Sequence, residues 1–120
     1  MSVLNSSSIL TSVKGMLGIS PTDDGFDQEV TDLINAEFLT LHQLGVGPED
    51  GFSIDGPECK WIAYTDNPRL LDAVRQFVYL RVRMIFDPPA SSTVADSINS
   101  RINELEFRLN VQAEGDAEES

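Results

Sequence analysis

The sequence predicts a mostly α-helical fold, a small four-helix bundle, from three observations. Apolar residues recur at three- and four-residue spacing in four separate segments, the spacing that puts them on one side of a helix. Each of those segments is bounded by residue types that start or stop helices. The stretch between the second and third segments, residues 46–65, lacks the helical period and is rich in Gly, Pro and Asp, which makes it a long loop with room for a small hairpin.

The first helix carries Ile9, Leu10, Val13, Met16 and Leu17, with Ser6, Ser7 or Ser8 as its N-cap and Gly18 followed by Pro21 as its stop. The second is expected over residues 26–44, with Phe26, Val30, Leu33, Ile34, Phe38, Leu41 and Leu44 on one face and Gly45 at its end. Asp24 is the expected cap, and Asp27 and Glu29 suit the positive end of the helix dipole. The same acidic cluster around Gly25 lacks the ligand spacing of a calcium loop. In the loop, two short β-prone runs, residues 51–54 and 60–64, flank the turn residues Asp55, Gly56 and Pro57. A loop of this length between packed helices is expected to serve a partner more than the fold, so shortening it between Pro48 and Asp55 is expected to leave stability nearly unchanged.

The third helix organises the rest. Leu70, Leu71, Val74, Phe77, Val78, Val82 and Ile85 share a face that Tyr79, Met84 and Phe86 widen, so the helix should be packed on more than one side. Asp66 or Asn67 caps it with Pro68 in the first turn, and Pro88 and Pro89 end it. Ser91, Ser92 or Thr93 then caps a fourth helix whose stripe is Val94, Ile98, Ile102, Leu105 and Leu109. From Gln112 the chain is small, acidic and apolar-poor, which predicts a helical domain over residues 1–111 and a flexible tail over 112–120.

Twenty acidic residues against eight basic ones give a formal charge of -12, a surface that repels nucleic-acid phosphates. Arg75, Arg81 and Arg83 lie on the third helix, where part of the set is expected to pair or snorkel near the core. One cysteine, Cys59, forbids an intramolecular disulfide and suits a reducing compartment, and with the single histidine, His42, it makes no metal site. The N-terminal residues lack the features of a signal peptide, and no run is long enough to span a bilayer. No nucleophile and base pair and no Gly-rich phosphate loop is present, so the chain is read as no enzyme and as needing no cofactor.

In this order and spacing, residues 13–19 (VKGMLGI), Trp61, residues 80–83 (LRVR), residues 86–89 (FDPP) and residues 102–110 (INELEFRLN) resemble the head-tail connector, or adaptor, proteins of tailed bacteriophages. The resemblance implies a virion protein of the neck between capsid and tail, present in the host cytoplasm during assembly. Its partners would be the portal protein, a stopper or tail-completion protein, and copies of itself in a ring of twelve; DNA would pass through without tight binding. The acidic balance fits a lumen that does not hold DNA. On this reading the last turns of the fourth helix, Arg101, Glu104, Phe107, Arg108, Leu109 and Val111, are the candidate portal-docking residues, with Phe107 off the apolar stripe either as an anchor or as cover for the first helix. Asp50, Phe52, Asp55, Trp61 and Tyr64 of the loop are the candidate ring or tail contacts. An acidic inhibitor that mimics DNA is the alternative, and a small DNA-binding regulator is disfavoured by charge.

Overall fold

The computed structural model describes residues 7–119, with side chains through residue 115. Ser6, one of the three candidate caps of the first helix, lies outside the described residues. Among the described residues five helices follow one another: α1 (Ile9–Met16), α2 (Asp27–Gln43), the one-turn α3 (Trp61–Tyr64), α4 (Pro68–Phe86) and α5 (Ser92–Glu119). Among the described residues there is no strand; one antiparallel bridge joins Ser8 to Lys60.

The ends of the long helices follow local chemistry. Ser8 caps α1 by accepting from the Thr11 N–H at 3.1 Å, and Asn67 caps α4 by accepting from Arg69 and Leu70 at 3.1 and 3.4 Å. The Ser91 hydroxyl accepts from the Val94 N–H at 3.3 Å at the start of α5. Helices α1 and α2 close in the same way, with Gly18 and Gly45 at φ 84° and 85°, where a side chain is strained. The residue after each glycine folds back: Ile19 N–H donates to the Lys14 carbonyl at 2.8 Å and Val46 N–H to the Leu41 carbonyl at 2.9 Å. These paired bonds satisfy the last carbonyls of each helix.

Helix α4 is the centre, packed against both α2 and α5, while α1 packs on α2. Val74, Phe77, Val78 and Val82 have no accessible surface, as their spacing predicts. Two ion pairs tie helices together where the sequence shows only charge. Lys14 of α1, buried, meets Asp27 of α2 at 2.6 Å, and Arg81 of α4 donates to the buried Glu37 of α2 at 2.8 Å. Asp24 therefore does not cap α2: Phe26 holds the cap position without a side-chain bond, and Asp27 is engaged by lysine. Arg75 lies over the Trp61 ring at 5.8 Å, the snorkelled placement expected of part of the arginine set.

The loop departs from expectation. No hairpin forms, because the backbone groups of Ile54 are taken by the Asn35 side chain, and the β-prone residues 61–64 coil into α3. Trp61 is held there by its backbone N–H on the Ser7 carbonyl at 3.2 Å and its indole N–H on the Ser12 hydroxyl at 2.8 Å. Val46, Ile54, Trp61 and Tyr64 are core residues, so residues 46–65 complete the fold, and shortening between Pro48 and Asp55 would disturb the core residue Ile54, against the expectation of unchanged stability. Two further expectations change. The backbone of α5 continues as helix through 112–119, the residues expected as a tail, and Ala113 still packs on the core. Phe26, Ile85 and Val94, all on predicted core stripes, are 44%, 61% and 43% exposed.

Candidate interaction surface

The turns of α5 that follow Ile102 present two unlike sides. Leu105 and Leu109, four apart, are each 2% exposed and face α4. Phe107 lies two residues from either, which on a helix puts it on the opposite side, and it is 70% exposed. It therefore does not cover α1. Val111, one turn further on and 49% exposed, continues the outward apolar surface. Beside them is a shallow depression of about 430 Å³ lined by Leu44, Asn103, Glu106, Phe107 and Asn110, where the Asn110 amide donates to the Leu44 carbonyl at 3.4 Å.

Arg101, Glu104 and Arg108 form one network along the helix. A single Glu104 oxygen meets Arg101 at 3.3 Å and Arg108 at 2.5 Å, and Arg101 also donates to the Gln76 side chain of α4 at 2.9 Å. Arg101 and Arg108 balance the carboxylates of Glu104 and Glu106, so the helix beside Phe107 is close to neutral in a chain of charge -12. An exposed aromatic ring flanked by arginine is the composition that carries binding energy at protein interfaces.

The structure sorts the sequence candidates. Arg101, Glu104, Phe107, Arg108 and Val111 share an accessible surface, whereas Leu109 is removed from the docking set because its side chain fills the core. In the loop, Asp50 and Asp55 are exposed and Phe52 is half-buried. Trp61 and Tyr64, at 1% and 5% exposure, are removed from the contact set: together with Phe52 their rings surround Phe38, at centroid distances of 5.0 to 6.3 Å. The Tyr64 hydroxyl is buried with no hydrogen-bond partner, and burial pushes its pKa well above the usual phenol value.

Chemistry is sparse on this surface. Among the described residues no group of three or more His, Cys, Asp or Glu side chains could hold a metal ion, and no helix is long and apolar enough to cross a membrane. His42 is exposed, and the Cys59 thiol is pushed up by burial and then by the charge of Asp55, which disfavours the reactive thiolate. What the sequence missed is the exposure of Phe26, Ile85 and Val94; the signal was their place, Phe26 just before α2, Ile85 in the last turn of α4 before Pro88 and Pro89, and Val94 in the first turn of α5.

Comparison with known proteins places this surface in context. No curated protein and no solved structure matches the chain. A family model described as "Phage connector protein" matches residues 9–116, which takes in α1 to α4 and all but the last turn of α5. The chain belongs to the phage connector protein family.

Proposed function

We propose that this chain is a structural subunit of the phage neck, a head-tail connector that docks on the portal as a closed ring of twelve copies, extends the DNA channel and offers a platform for the stopper or tail. Family membership across the whole fold supplies the role. The observation that carries the portal contact is Phe107, an aromatic side chain 70% exposed on α5 beside Arg101 and Arg108. Residues 112–119 extend the same helix. Ring closure needs one surface of a subunit to meet a different surface of the next, a contact that need not persist at low concentration. A net charge of -12 per subunit keeps the channel from holding DNA through counterion release.

Removing residues 107–120 would be a poor test, since Leu109 leaves the core with them. Phe107→Ser and Val111→Ser keep the core and strip the outward surface. Portal-bearing capsids should pull down the wild-type chain and lose the double variant while its thermal unfolding is unchanged. Equal capture of both by capsids would refute the portal contact.

A further inference from the structure

A subunit of charge -12 that closes into a ring has to meet its own kind, and like charge opposes that contact unless opposite charges face each other locally. The basic residues therefore narrow where copies meet. Lys14, Arg81, Arg101 and Arg108 are each engaged by a carboxylate of the same chain. Among the described residues no carboxylate pairs with Lys60, Arg69, Arg75 or Arg83. Lys60 lies at the bridge to Ser8, Arg75 lies over the Trp61 ring, and Arg83 shares a shallow depression with Asp87. Arg69, exposed in the first turn of α4, borders a depression that no carboxylate lines and that a second arginine, Arg108, also borders.

That depression, of about 270 Å³, adjoins a larger one of about 430 Å³, and the two share Leu70, Leu109 and Gln112 as lining. Together they make one groove between the start of α4, residues 108–113 of α5 and the loop at residues 45–48. Val46, Leu70 and Leu109 supply its apolar lining. Its charges are divided: Arg69 and Arg108 stand at one depression, and Asp66 lines the other.

The chain itself carries a segment of the complementary kind. Residues 114–119 hold Glu114, Asp116, Glu118 and Glu119, and no side chain from 112 to 120 is larger than Glu or Gln, which suits a shallow groove. The segment is carried away from its own groove. Helix α5 continues to Glu119, about 9 Å along its axis beyond Ala113, the last α5 residue that lines the groove. An acidic turn that projects past the body is offered to a neighbour.

We infer that the groove of one subunit, at Arg69, Leu70 and Arg108, receives the acidic turn at residues 114–119 of the next copy. The inference rests on the ring reading and supplies a contact for it. A projecting segment that meets a different surface of the next subunit is a heterologous contact, the kind that closes into rings. The carboxylates of the segment meet Arg69, which has none of its own, and join Glu104 at Arg108. Two acidic copies are thereby held together at a place where their charges are opposite.

The test is a charge swap in the full-length chain, read by sedimentation velocity over a concentration series. Arg69→Glu should raise the concentration needed for association by about tenfold or more, because it sets like charges face to face. Arg69 is exposed and an acidic residue suits the first turn of a helix, so thermal unfolding should not change. Asp116→Arg with Glu118→Arg should weaken association as well, although it reduces the net charge, and all three changes in one chain should recover most of the wild-type association. Tighter association of the Asp116→Arg, Glu118→Arg chain would show that general repulsion governs the contact, and the inference would be overturned. Normal association of the Arg69→Glu chain overturns it too. So does loss of that chain from portal-bearing capsids with self-association intact, which would assign the groove to the portal. A wild-type chain that stays monomeric throughout also sinks the inference; the ring reading falls with it only if the chain bound to capsids cross-links into no multimers.

Discussion

The Asn35 side chain holds the backbone of Ile54 from both sides: its amide donates to the Ile54 carbonyl at 2.8 Å and its oxygen accepts from the Ile54 N–H at 2.8 Å. This pair, 19 residues apart, fixes the middle of the long loop onto α2 and seats Ile54 in the core at 4% exposure. Asn35→Ala removes both bonds and leaves two part-buried backbone groups to find other partners. A loss of about 2 to 3 kcal/mol is expected in denaturant unfolding, with an unchanged slope. Asn35→Asp keeps the acceptor but sets a carboxylate against a carbonyl oxygen, so it should not restore the wild-type midpoint. An Asn35→Ala variant as stable as wild type would show that the loop is held by its apolar residues alone.

Phe77 has no accessible surface and sits on the helix that packs against both α2 and α5. Phe77→Ala should cost about 3 to 5 kcal/mol, the range for emptying an aromatic core site. Chemical denaturation reads this directly, and a loss below about 1 kcal/mol would place Phe77 outside the load of the core.

Glu37 is 3% exposed and its carboxylate is paired with Arg81, whose side chain is 37% exposed. Removing only the arginine leaves a carboxylate buried without its partner, so Arg81→Met should destabilise by about 3 kcal/mol. Replacing both, Glu37→Leu with Arg81→Met, should recover most of that loss because no charge remains to be solvated. A double-mutant cycle checks it. Additive losses would mean that the pair is not coupled.

The Tyr64 hydroxyl is buried without a partner, and its pKa is raised by burial from an unfolded-state value near 10.0. Above that pH the unfolded chain loses a proton that the native chain keeps. The native state therefore binds more protons, and stability falls as pH rises beyond about 10. Tyr64→Phe removes both the unpaired hydroxyl and this titration. It should match or exceed wild-type stability by about 1 kcal/mol at neutral pH and flatten the alkaline decline. A steeper alkaline decline in the variant would contradict the assignment.

Much of the architecture was legible because it is written in neighbouring residues. Ser8, Asn67 with Pro68, Gly18, Gly45 and the Pro88–Pro89 pair act within one turn of where they stand, and the α4 stripe is fixed by helical period. What escaped the sequence depends on residues brought together by folding. The two hydrogen bonds from Asn35 to Ile54 and the indole bond from Trp61 to Ser12, 49 residues away, convert a β-prone run into a loop and a single helical turn. Periodicity likewise says which side of a helix is apolar and not how far the packed layers extend. Val78, Val82 and Ile85 are alike in the sequence; the first two are covered, and the third lies beyond the cover. In the candidate surface, Phe107 was identifiable because it breaks the stripe, whereas Leu109 follows the stripe and is accordingly core.

Helix α5 is a lever. It is a single helix about as long as the longest dimension of the molecule, and Val46 of the loop and Tyr64 of α3 line one depression with its Leu109 and Ala113. A rod of about 42 Å tilted by about 10° about one end carries the other end through about 7 Å, more than one helical turn. Because α4 packs along it, such a tilt has to slide the α4–α5 seam. Gly115 sits near the far end, where the missing side chain lowers helix stability by roughly 1 kcal/mol relative to alanine. That places a soft position two residues beyond Ala113, which still packs on the core.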